Sequence, residues 1–95
     1  MRDEHLERLF AIRGPSSRMD AAEAIRFLAL EFAGESGELA NLIKKLWRGD
    51  IVDLVRVGEE LADIVMCAHL LANRLNINLD RAVDDKLAFL ERRYR

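Results

Sequence analysis

The chain has 95 residues, enough for one small domain, with 51% hydrophobic residues, 34% charged residues and a net charge of -2. This composition is typical of a compact helical protein and excludes a disordered chain, and the lack of a basic excess argues against nucleic acid as a partner. No apolar run is long enough to span a bilayer, and the charged N-terminal segment lacks the apolar centre of a signal peptide. We therefore expect a cytoplasmic protein with no membrane partner.

The first two predicted helices are separated by a glycine and a proline. A helix that begins at Asp3 must end before these residues, which lie at positions 13–17. The second helix shows apolar residues at three- and four-residue spacing and ends at Gly49, a typical C-cap residue. Within it, Gly34 and Gly37 leave bare flanks that another helix or a substrate could approach.

The third and fourth predicted helices follow two further turn signals. Either Asp50 or Asp53 can cap the third helix, which is apolar on nearly all sides and so indicates a bundle core or a subunit interface. Asn76 can adopt the left-handed conformation, and Asn78 can cap the last helix. With no alternating strand pattern, the prediction is an all-α fold. It forms a single domain over residues 1–95, with an N-terminal helix and loop at 1–17 and core helices at 20–95.

Two pairs of acidic residues stand in otherwise apolar segments. Glu35 and Glu38 form an E-x-x-E pair in the second segment, and Glu60 and Asp63 form an E-x-x-D pair in the third. This spacing puts both side chains of a pair on one helical face. Antiparallel packing would bring the pairs together, which protonation or cation binding would make tolerable. Oxygen ligands with room for water and phosphate favour Mg²⁺ or Mn²⁺ over zinc, whereas the alternative is two solvated helix faces.

The order of motifs resembles that of the MazG-like nucleoside triphosphate pyrophosphohydrolases. The segments that carry the resemblance are EFAGESGELANLIKKLWRGD, EELADIVMCAHLLANRLNINL and DKLAFLERRY, between residues 29 and 94. The resemblance implies a MazG-like helical bundle whose four-helix core is completed by dimerisation, in a homodimer or homotetramer. It also implies hydrolysis of a (d)NTP to a (d)NMP and pyrophosphate, with nucleotide-pool house-cleaning as the expected role.

The positions of this chain that match the motifs of the family imply the residues of its site. The resemblance makes Glu35, Glu38, Glu60 and Asp63 the metal ligands and catalytic residues, with Mg²⁺ as the cofactor and Mn²⁺ as a substitute. One glutamate, preferably Glu38, would also orient or deprotonate the attacking water.

Basic residues are expected to bind the triphosphate. Lys86 and Arg93 match basic positions in the last helix, whereas Leu90 replaces an asparagine that many relatives carry between them, which puts one substrate contact in doubt. Lys45 and Trp47 follow the first acidic pair and are included among the substrate-binding residues. Trp47 either stacks on a base or belongs to the core or an interface.

Two alternatives to this function remain open. One is phosphoribosyl-ATP pyrophosphohydrolase, which shares the fold and the acidic pairs. The other is a catalytically silent helical module that binds a nucleotide or a protein partner, which the leucine at position 90 slightly favours. The sequence does not distinguish the base or the sugar of the nucleotide.

Overall fold

Four α-helices make up the computed structural model, which describes residues 3–12 and 19–94. They are α1 (Asp3–Ile12), α2 (Ala21–Trp47), α3 (Leu54–Arg74) and α4 (Leu79–Arg93), and the described residues include no strand. The prediction of an all-α fold is confirmed. The helix break predicted at residues 13–17 lies outside the described residues. Among the helices that are described, none combines the length and the hydropathy needed to cross a membrane.

In the connection between α2 and α3, a glycine follows the end of α2 and an aspartate caps the start of α3. Gly49 has a φ of +96°, the left-handed region that a glycine adopts without steric cost. Of the two candidate caps for α3, Asp53 is the one that serves: its Oδ1 accepts from the backbone N–H of Val55 at 3.0 Å. Asp50 accepts instead from Nε of Arg48 at 2.8 Å. The turn is therefore held by local contacts.

The starts of α2 and α4 are also capped by side chains. Asp20 Oδ1 accepts from the N–H of Glu23 at 2.8 Å, and Asn78 Oδ1 accepts from the N–H of Arg81 at 3.0 Å. Asn76 has a φ of 58°, so it takes the left-handed conformation predicted from the sequence. These caps satisfy backbone donors that the first turn of a helix leaves without partners.

The core lies where α1 and α2 both pack against α3. The six-residue connection at 48–53 makes α2 and α3 an antiparallel hairpin, and their contact is the most extensive between any two of the described helices. α1 covers one end of this hairpin. The residues of the buried cluster are Leu6, Phe10, Ala24, Leu28 and Leu70. The hairpin therefore supplies the frame on which the acidic pairs are placed.

The single chain is more extended than a compact domain of its size. Its radius of gyration is 15.9 Å, whereas about 12 Å is expected for 95 residues. It exposes 7533 Å², against about 5600 Å² for a compact monomer of this mass. α4 contacts α3 but contains no buried residue. Large apolar side chains are exposed on α2, α3 and α4, including Trp47, Leu61, Val65, Val83 and Leu87.

Candidate metal centre

α2 and α3 bring three glutamates together at the middle of the hairpin. One oxygen each from Glu35, Glu38 and Glu60 lie within 4.8 Å of one another. Glu35 and Glu38 come from one face of α2 because they are three residues apart, and Glu60 faces them from α3. Glu35 and Glu60 are half-buried, whereas Glu38 is exposed. Three carboxylates at this separation repel one another when all are ionised, so the cluster favours a proton or a cation.

The two half-buried members of the cluster have oxygens without a hydrogen-bond donor. Oε2 of Glu35 and Oε2 of Glu60 are both buried and accept no hydrogen bond among the described residues. If Glu35 is protonated, its carboxyl group can donate a hydrogen bond to Glu60, which two ionised carboxylates cannot form. This hydrogen bond, the burial of Glu35 and the nearby charges of Asp63, Glu38 and Glu60 raise the pKa of Glu35 to about 7.

A divalent cation would satisfy the same oxygens that a proton satisfies. The donor set is entirely carboxylate, the kind that Mg²⁺ and Mn²⁺ bind in proteins, and the buried oxygens of Glu35 and Glu60 are available to it. The residues present therefore fit such an ion. Gly34 and Gly37 leave open space beside the ligands, because a Cβ at either position would meet no atom within 4 Å.

Asp63 lies at the edge of this cluster. It is half-buried, and its oxygens are outside the group of three that lie within 4.8 Å. Its charge nevertheless contributes to the raised pKa of Glu35, and the two residues border the same small cavity. The structure thus places three of the four predicted ligands in mutual reach, with the fourth close to Glu35.

Lys86 and Arg93, the residues of α4 that are predicted to bind phosphate, are exposed, and the cation of each lies near an aromatic ring close to it in the sequence. The Lys86 ammonium lies 5.0 Å from the centre of the Phe89 ring, and the Arg93 guanidinium lies 5.7 Å from that of Tyr94. Within the described part of the chain, neither cation forms an ion pair with the glutamate cluster. Leu90, between them, is half-buried.

Lys45 and Trp47 lie near the end of α2, away from the cluster. At a rise of 1.5 Å per residue, Lys45 is about 10 Å beyond Glu38 along the helix axis, and Trp47 is about 13 Å beyond it. The Trp47 side chain is 89% exposed, so it does not pack in the core of this chain. Base stacking and a subunit interface remain the two expectations for it.

Sequence reasoning did not assign α1 to the site. Three apolar residues of α1, Leu6, Leu9 and Phe10, border the cavity that Glu35 and Asp63 also line. Their spacing in the sequence signals an apolar helix face, but it does not reveal which part of the hairpin that face covers. Glu31 of α2 is exposed and borders the same cavity.

Comparison with known proteins identifies the family. A family model described as the MazG-like family matches residues 19–95, so the chain belongs to the MazG-like family. This membership indicates a fold of the nucleotide pyrophosphatase type and an enzyme class that usually depends on metal. No curated protein and no solved structure was found to match the chain. α1 precedes the matched residues.

Proposed function

We propose that this protein is a Mg²⁺-dependent nucleoside triphosphate pyrophosphohydrolase, which converts a (d)NTP to a (d)NMP and pyrophosphate. The observation that carries the proposal is the convergence of Glu35, Glu38 and Glu60, with two buried oxygens that lack donors, in a chain of the MazG-like family. Without a bound cation, the ionised carboxylates of this cluster repel one another, so the cluster is well suited to hold the cation that accompanies a triphosphate.

The carboxylates of the hairpin would hold the metal and accept the proton of the reaction. When bound, a divalent metal polarises phosphoryl oxygens and makes water a better nucleophile. The water oxygen forms a bond to the α-phosphorus, and the bond from this phosphorus to the bridging oxygen breaks. Pyrophosphate leaves with the electron pair, and the water proton passes to a carboxylate. Glu38 suits this last role because it is the exposed member of the cluster.

A substrate panel tests the proposal directly. Purified protein is incubated with ribo- and deoxyribonucleoside triphosphates and Mg²⁺ or Mn²⁺, and the release of pyrophosphate is measured. We expect cleavage of at least one nucleotide, and we expect Glu38→Gln to lower kcat by about 10²–10⁴-fold, as loss of a proton acceptor does. The matched control is Glu59→Gln, an exposed glutamate of α3 outside the cluster, which should keep normal activity. Absence of cleavage with either metal would overturn the proposal.

We also propose that a second copy of the chain completes the bundle, with the dimer as the smallest active unit and a tetramer as a further assembly. The excess exposed area and the absence of a buried residue in α4 support this proposal. A half-exposed apolar pair on α3, Leu61 and Val65, lies beside the acidic residues of that helix, so the partner would pack close to the metal centre.

A further inference from the structure

A small apolar cavity adjoins the glutamate cluster. It has a volume of about 190 Å³ and lies between α1, α2 and α3. Leu6, Leu9 and Phe10 of α1 form one wall, and Met66 and Leu70 of α3 form another. The cavity is therefore apolar over most of its lining, although it opens toward charged residues.

Carboxylates stand at one side of the same cavity. Glu31 and Glu35 of α2 and Asp63 of α3 border it, and Glu35 also belongs to the metal cluster. The cavity is thus continuous with the candidate metal centre. These negative charges disfavour entry of a phosphate, so only an uncharged part of a nucleotide is suited to the apolar interior.

α1 is held against α3 by polar contacts as well as by its apolar face. Glu7 forms an ion pair with Arg74, and Asn73 Nδ2 donates to Oε2 of Glu7 at 3.1 Å. The Arg74 guanidinium also lies 5.1 Å from the centre of the Phe10 ring. These contacts add to the apolar packing that holds α1, the helix that forms one wall of the cavity, against α3.

The volume of the cavity limits what it can hold. An apolar cavity of about 150 Å³ in another protein accommodates a single benzene molecule. At about 190 Å³ the present cavity, which is half open to solvent, matches the size of one six-membered ring with its exocyclic groups, whereas two fused rings would extend beyond its apolar lining. The apolar side chains that line the cavity would contact such a ring.

We propose that this cavity receives the base of a pyrimidine nucleotide, and that α1 makes the enzyme select pyrimidines over purines. The proposal rests on the function proposed above and names the substrate class of that site. Because α1 precedes the residues matched by the family model, the selectivity comes from a wall of this chain outside that match.

Kinetic selectivity is the first test. We expect kcat/KM for CTP or UTP, or their deoxy forms, to exceed that for ATP and GTP by at least tenfold. Leu9→Ala widens the cavity at a half-exposed residue and should reduce this ratio several-fold, mainly through a lower KM for purines. Leu75→Ala is the matched control: it is the same truncation at similar exposure, 48% against 46% for Leu9, and Leu75 does not border the cavity. Equal kcat/KM for all bases would overturn the inference and leave the proposed function standing.

Protection of a thiol gives a readout that does not require catalysis. Cys67 is the single cysteine and borders the cavity. Burial, followed by the charges of Glu31, Glu35 and Asp63, raises the pKa of its thiol, so alkylation is followed at alkaline pH. With Mg²⁺ and α,β-methylene triphosphate analogues, pyrimidines should slow alkylation at least fivefold and purines should not. Selective protection without hydrolysis of any triphosphate would support the cavity assignment while refuting the hydrolase, and equal protection by both classes would refute the cavity assignment.

Discussion

Glu35 and Glu60 each have a buried carboxylate oxygen without a hydrogen-bond donor, and one oxygen of each lies within 4.8 Å of the other residue's. In the absence of a cation, a proton on Glu35 is the simplest way to satisfy both groups, and this is why the pKa of Glu35 is raised to about 7. The same carboxylates that suit a metal therefore link the stability of the metal-free protein to pH.

The first prediction concerns this linkage. Because the pKa of Glu35 is raised from 4.5 to about 7 on folding, its contribution to stability is complete below pH 4.5 and is lost as pH rises toward 7. The free energy of unfolding of chelator-treated protein, measured by urea denaturation between pH 5 and 8, should contain a decrease that Glu35→Gln removes. Glu59→Gln should retain the decrease. An unchanged pH profile in Glu35→Gln would contradict the assigned environment.

At the scale of the elements, the hairpin contains glycines of two kinds. Gly58, within α3, has open space around the position of a Cβ, so its replacement meets no steric obstacle in the chain. Gly49, after α2, also has open space but holds a φ of +96°, which side chains rarely adopt. Steric room is therefore the same at the two positions, and only the backbone conformation differs.

The second prediction follows from this difference. Gly58→Ala should raise the free energy of unfolding by about 0.5–1 kcal/mol, because alanine lowers the entropy of the unfolded chain and favours the helix. Gly49→Ala should lower it by about 1–2 kcal/mol, because a left-handed conformation is unfavourable for a residue with a Cβ. Both values can be read from urea denaturation. A stabilising Gly49→Ala would show that the turn is not held in this conformation.

The sequence predicts a structural feature well when that feature depends on neighbouring residues, and poorly when it depends on how separate helices pack. Asp53, Asn76 and Asn78 mark helix ends by their own side chains or backbone preferences, so these boundaries can be read locally. The acidic pairs can likewise be placed on helix faces from their spacing. The contact between Glu35 and Glu60, however, depends on the register of α2 against α3, and the cavity wall depends on where α1 packs. Neither is encoded within a single segment.

At the scale of the whole molecule, the described helices leave many large apolar side chains exposed to solvent. Leu61 is 49% exposed and Val65 is 47% exposed on the same face of α3, one turn apart. Monomeric proteins rarely leave such surfaces uncovered over several helices, and large apolar patches commonly mark interfaces. A partner subunit would cover this face of the hairpin.

The third prediction tests this assembly. Light scattering coupled to size exclusion should give a mass of two or four chains for the normal protein. Leu61→Asp should shift the protein toward the monomer, because it introduces a charge into an apolar interface. Ile51→Asp, in the exposed connection between α2 and α3, should leave the mass unchanged. The proposed dimer would be contradicted if the normal protein had the mass of one chain at every protein concentration measured.

The short turn between α2 and α3 also has a consequence for how the protein acquires its site. All four predicted ligands lie within one hairpin, between positions 35 and 63, so their convergence requires the closure of only one six-residue connection and the contacts between the two helices that it joins. Structures dominated by such contacts fold rapidly, because little loop entropy is lost before the contacts form. Closure of the hairpin would then also assemble the proposed ligand set, and a cation that bound this set would stabilise the hairpin before association with a proposed partner subunit.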